Sequence, residues 1–281
     1  MGFLLKTNKG IESIITKFSG NNSNITLYPM VHFGIKDFYQ QILSQAVNHE
    51  IVLYEGVSMN SQSENFYSSM LEKNMQRKNM KEKNNNTSLN EIFFMTISLY
   101  QSTVSRIFGL SEQFMEQLKY MSLENFHNAD ICIESIEEYD IKDYVKKSKN
   151  YNNKKLNKKL SDNKILQNYI GNLLYRIDLL EFIDKFEKKS EKDMLKIYES
   201  IINETLSDSK ITEKMVFSKQ RESQLIDILE VVLENYNDIG IIYGADHMNA
   251  FSKYLKNKKY LNYLKMNILA IPKVPPKFSK K

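Results

Sequence analysis

The sequence predicts an α+β protein, a small mixed β-sheet built from both chain ends with a large helical insertion between them. Three observations predict it. Strand-like runs sit near the start, over residues 24–30 and 50–54, and near the end, over 239–243 and 267–271. Amphipathic helical spacing dominates the middle. Two of the end strands also share a pattern, because Ile25 to His32 and Ile239 to His247 each carry a β-branched run, then Tyr, then Pro or Gly, two more residues and His.

Each element has a local reason. The first strand needs the run Ile25, Thr26, Leu27, and Pro29 marks where it stops. Between Val31 and Glu50, Phe38, Ile42, Leu43, Ala46 and Val47 fall at helical spacing. With the strand that follows they form a strand–helix–strand unit, which favours parallel pairing and a right-handed crossover. Ser88 and Glu91 have the form of a capping box, opening an apolar helix that Gly109 closes. Ser135 and Glu138 repeat that signature ahead of Ile141, Tyr144 and Val145.

Leu166, Tyr169, Ile170, Leu173, Ile177, Leu180 and Ile183 mark one face of a long helix. Leu225, Ile228, Leu229, Val232 and Leu233 mark another that leads into the strand at Ile239. Such stripes are core positions. Two Lys- and Asn-rich stretches, 72–87 and 146–164, contain neither Pro nor Gly and read as solvated helix faces or loops rather than linkers. Residues 1–281 therefore read as one domain, with its helical insertion over about 60–235.

Composition narrows the function. With 42% hydrophobic and 26% charged residues, the 281-residue chain has the balance of a globular protein. Its formal charge of +5 is scattered, and no basic patch interleaves with aromatic or Gly-rich platforms, so nucleic acid is not an expected partner. The lone Cys132, between Ile131 and Ile133, has no partner for a disulfide or a thiolate metal site and reads as buried packing in a reducing compartment. No run approaches twenty apolar residues and the first residues are too short for a signal peptide, so no membrane span and a cytoplasmic location are expected.

Side chains at the carboxyl ends of strands line the crevice where open α/β sheets bind ligands, which makes His32 and His247 a candidate paired site. Glu55 follows Ile51 to Tyr54 and precedes Gly56, in position to be a ligand, a base or a cap. Arg221 lies upstream of the last motif, able to swing toward the same edge or to serve as a salt-bridge partner. His127 and Asp130 have the spacing of a helix-start cap, and His49, just before a strand, reads as a surface residue.

Four pieces then occur in a telling order: Pro29-Met-Val-His32, Val52-Leu-Tyr-Glu55, Arg221-Glu222 and Gly244-Ala-Asp-His247. In that order they resemble the motifs of the TraB/PrgY/GumN family, which is related to the Tiki proteases and more distantly to the erythromycin-esterase and ChaN-like proteins. That family carries Gly-x-x-His, a strand ending in Glu, Arg followed by Asp or Asn, and Gly-Ala-x-His. His127 to Asp130 resembles the Ala-Asp segment of its helical region. The match covers the ends of the chain well and the middle poorly. Pro29 replaces the family's first glycine and Glu222 its Asp or Asn.

The resemblance implies that His32, Glu55 and His247 gather at one sheet edge, with Asp130 in support from the insertion. It implies a hydrolase of a peptide or ester bond, acting on a peptide or small-molecule substrate, with Arg221 stabilising the oxyanion. Two schemes stay open. In one, His32, Glu55 and His247 hold a divalent Mn, Co or Zn ion that activates water. In the other, without metal, Glu55 orients a histidine that deprotonates water. The alternative is a non-catalytic regulator of the TraB/PrgY type that binds a peptide or small ligand.

Overall fold

The computed structural model describes residues 2–56, 101–131, 189–212 and 216–279. These form a seven-stranded mixed sheet with helices on both faces. Its parallel half is ordered β3 (Ser23–Met30), β8 (Asp238–Gly244), β5 (Ile51–Tyr54) and β7 (Phe126–Asn128). The antiparallel half is β2 (Gly10–Gly20), flanked by β1 (Leu4–Lys6), β3 and β9 (Leu261–Pro272). A separate two-stranded ladder joins β4 (Phe33–Gly34) to β6 (Ser111–Glu112).

The expected neighbours are found in part. β8 pairs in parallel with both β3 and β5, but it lies between them, so the two strands of the early strand–helix–strand unit do not pair with each other. The strands ending at Met30, Gly244 and Tyr54 are adjacent and run the same way, with Met30 opposite Gly244 and Tyr54 opposite Ile242. Their alternation sets the layers. Tyr28, Met30, Val52, Tyr54 and Ile242 face a cluster with Phe38, Ile42 and Leu43 of α1 (Lys36–Ala46). Phe108 of the helical residues 101–108 and Tyr198 of α3 (Glu191–Thr212) join the same cluster. A short α2 (Gln113–Gln117) follows β6. On the opposite face Leu27, Leu53, Ile241 and Tyr243 meet α4 (Val216–Val232) through Leu225, Ile228 and Leu229, and α5 (Met248–Asn257) through Phe251 and Leu255. Each such aliphatic side chain contributes about 1.5–3 kcal/mol by burial, so α4 is anchored beside the strand ends it must serve.

Two local features shape the sheet. The β2–β3 hairpin turns through Asn21 and Asn22 at φ 48° and 62°, between the paired residues Gly20 and Ser23. Two left-handed residues in a two-residue loop are what a type I′ hairpin requires. Farther along, pairing of β2 to β3 ends at Thr16 and Leu27, two residues before Pro29. Proline has no N–H to give the ladder. The Pro29 carbonyl instead accepts from the buried Ser13 hydroxyl at 2.6 Å, and β1 pairs with β2 over residues 11–13.

Several expectations are corrected. β1 and β2 occupy the first twenty residues, where no strand is expected, and β9 extends well past 267–271. β7 lies inside the stretch expected to be a helical insertion and pairs with β5. His127 consequently sits on a strand, not at a helix start. His49 is not a surface residue, since its ring bridges the Tyr28 hydroxyl and the Asp238 carboxylate at 2.8 Å each, over the space a Cβ on Gly240 would fill. Gly109 does close its helix, at φ 70°. Cys132, the capping boxes at Ser88 and Ser135, the stripe Leu166 to Ile183 and both Lys- and Asn-rich stretches lie outside the described residues. Among the described residues no helix is long and apolar enough to cross a membrane.

Candidate functional site

The carboxyl ends of β5, β7 and β8 converge, and α4 delivers two side chains to them. Glu55 continues β5 by donating its N–H to Ile242 at 2.9 Å. One of its carboxylate oxygens accepts from Arg221 Nη2 at 2.5 Å and the other from the Gly244 N–H. A Cβ on Gly244 would lie 3.0 Å from that second oxygen, which is why glycine stands there. Asp130, just past β7, is buried and takes Arg221 through both oxygens, with Nε at 2.8 Å from Oδ1 and Nη2 on Oδ2.

Asp130 is itself held in place. Its Oδ1 also accepts from the Tyr243 hydroxyl at 2.8 Å, its N–H donates to the Asn128 side chain at 2.9 Å, and its carbonyl accepts from Gln224 at 2.7 Å. Arg221 stacks 5.4 Å from the Tyr243 ring centroid.

His247 occupies the single 3-10 turn between β8 and α5. Its Nδ1 lies 3.0 Å from Glu222 Oε1, and its Nε2 lies 3.5 Å from Arg221 Nη1. Glu222 as acceptor fixes the proton on Nδ1, leaving the Nε2 lone pair facing the guanidinium. The Tyr243 ring packs edge-on against the imidazole at 5.3 Å. The carboxylate of Glu222 thus takes the orienting position that the metal-free scheme gives to Glu55, while Glu55 and Asp130 hold Arg221.

The electrostatics follow from burial and charge. Burial pushes the Glu55 carboxyl up, but Arg221, His247 and His32 outweigh it and bring it down to about 2. Burial would lower Arg221, but Asp130, Tyr243 and Glu55 keep the guanidinium firmly protonated. The Tyr243 phenol is raised by burial and by Asp130, so it stays a donor. One guanidinium is therefore shared by two carboxylates, beside a histidine backed by a third.

The expected set is brought together in part. Glu55, Arg221, Asp130 and His247 meet. His32 lies beyond the end of β3 with an exposed side chain, and its carbonyl accepts from the Gln113 N–H at 3.0 Å. Its ring makes no hydrogen bond among the described residues, although its charge is felt at Glu55. A divalent ion held by His32, Glu55 and His247 does not fit this arrangement. Both Glu55 oxygens are already bonded, His247 Nε2 faces a cation, and among the described residues no three His, Cys, Asp or Glu side chains are grouped to hold a metal.

Glu222, which the sequence analysis notes only as the replacement for the family's Asp or Asn, is the carboxylate that meets His247. Its signal was adjacency to Arg221, because one helix turn presents both to the same strand ends. Comparison with known proteins brings no match: no family model, no curated protein and no solved structure matches this chain.

Proposed function

We propose that the chain is a hydrolase of a peptide or ester bond, with His247 as general base. The observation that carries this reading is the line from Glu222 through His247 to Arg221, at 3.0 Å and 3.5 Å. Glu222 holds the imidazole as the Nδ1–H tautomer, so Nε2 is available to take a proton from water as it attacks a carbonyl. Glu222 then stabilises the imidazolium, in the way the acid of a catalytic triad does. Arg221, alongside Nε2, supplies positive charge where the carbonyl oxygen becomes an oxyanion. Protonated His247 returns the proton to the leaving amine or alkoxide. Glu55 and Asp130 act through Arg221 and are positioning residues. The substrate expected is a peptide or small ester reaching the strand ends from the side where His32 is exposed.

One observation favours a second reading, a cleft that binds such a ligand without turnover. Arg221 already meets two carboxylates, which reduces the positive charge it offers to an oxyanion. Turnover of a panel of chromogenic esters and peptides decides between them. The hydrolase reading expects His247→Ala to lower turnover by about a hundredfold or more, measured at a temperature where the variant is still fully folded. A wild-type protein that binds members of the panel without cleaving them supports the binder, and undiminished turnover in His247→Ala overturns the assignment of His247.

A further inference from the structure

We propose that the cleft between α5 and the β2–β9 ribbon is a binding site for a small molecule bearing a diphosphate or comparable phosphate group. This site is independent of the hydrolase reading and shares no residue with the Glu55, Arg221 and His247 cluster. Lys253 and Lys256 enter it from α5 and Lys265 from β9, with Asn249, Ser252 and Asn262 between them. Among the described residues no carboxylate lines the cleft.

The charge on α5 is distributed in a way that singles out this wall. Lys258, which caps the end of α5, pairs with Glu230 at 2.9 Å, and Glu230 also receives the Tyr254 hydroxyl at 3.0 Å. Lys253 and Lys256 have no carboxylate partner among the described residues. They stand three residues apart on one helix face, where like charges repel.

The donors match a phosphate group. Ammonium groups supply point charge and multiple N–H donors to phosphate oxygens, and such charge-assisted bonds are the stronger kind. Side-chain amides of Asn249 and Asn262 and the Ser252 hydroxyl add neutral donors from both walls. The cleft volume is about 250 Å³. A diphosphate head fits in a cleft of that size.

Titration calorimetry with sodium pyrophosphate, inorganic phosphate and sodium sulfate at low ionic strength tests the proposal. The expected result is one-to-one pyrophosphate binding, tighter than phosphate or sulfate and weakened by added salt. The doubly substituted Lys253→Gln, Lys256→Gln protein should bind at least about tenfold more weakly at unchanged melting temperature. Asn262→Leu, which removes an amide donor from the β9 wall at nearly the same shape, should also weaken binding, and it decides the matter if the lysine pair disturbs folding. Lys9→Gln with Lys36→Gln, on other exposed surface, should leave affinity unchanged. No pyrophosphate binding, or an equal loss in the distant lysine pair, overturns the proposal and leaves only diffuse attraction to a basic protein.

Discussion

At the scale of residues, Arg221 is the keystone of the site. Its side chain is 8% exposed and compensates two carboxylates that are 9% and 0% exposed. Removing one partner of a buried ion pair costs roughly 3–5 kcal/mol, because the remaining charge has no solvent to turn to. Arg221→Ala should therefore lower the melting temperature as well as turnover, and thermal unfolding monitored beside activity checks this. Arg221→Lys should rescue little of either, since a single ammonium cannot span Asp130 and Glu55 as the guanidinium does. A second outcome follows from Glu55. Its folded value lies near 2 against 4.5 for the free side chain, so the native state binds fewer protons than the unfolded state between them. The stability it contributes is complete above about pH 4.5 and is lost as pH falls toward about 2. Glu55→Gln should flatten acid unfolding across that window, and an unchanged profile would mean that other carboxylates set it. Glu55 and His247 were legible because strand ends converge wherever the strands are parallel neighbours, whereas Arg221 was named from its place ahead of the last motif and Asp130 through the family resemblance. The Glu222 contact was not legible, because it depends on the angle at which α4 presents consecutive residues.

At the scale of elements, the strands that read clearly are those with an apolar run along their buried positions, although β3 also buries Ser23 and Thr26. β3, β5 and β8 are buried on both faces, and their Ile, Val, Leu and Tyr runs announce it. β2 is just as buried at most positions but includes Ser13 and Thr16 among its inward residues, at 0% and 2% exposure. Ser13 satisfies itself on the Pro29 carbonyl, a partner fixed only by the three-dimensional pairing. Ser13 through this tertiary partner, and Thr16 through the local carbonyl of Ile14, therefore break the apolar run of a central strand so that it reads as a surface segment. His49 was misplaced for the same reason, its two partners lying on β3 and at the start of β8. The hairpin between β2 and β3 gives an outcome at this scale. Asn22 sits at φ 62°, a conformation that glycine enters without the steric cost borne by a side chain. Asn22→Gly, which makes the Asn-Gly turn preferred in type I′ hairpins, should raise stability by a few tenths to about 1 kcal/mol in denaturant unfolding. A loss of stability instead would show that the Asn22 side chain contributes more than its backbone preference costs.

At the scale of the whole molecule, the mixed sheet, the contribution of both chain ends and the shared direction of the three motif-bearing strands followed from pattern alone. The order of the strands did not, because nothing local specifies which edge a late strand will choose. The structure inserts β8 between β3 and β5, so the two strands of the early strand–helix–strand unit never touch.

That insertion has a consequence for how the chain is made. While β3 and β5 are already synthesised, the slot between them has to wait for β8, nearly two hundred residues downstream of Glu55. Until then both strands present unpaired edges, which are templates for pairing with other chains. Closing the sheet late rewards only contacts of long sequence separation, the kind that makes folding slow. Gly244 on β8 is also what one Glu55 oxygen bonds, and His247 follows it within the same motif. The nascent chain therefore holds no assembled site: the step that seals its most aggregation-prone edges is the same step that completes the chemistry.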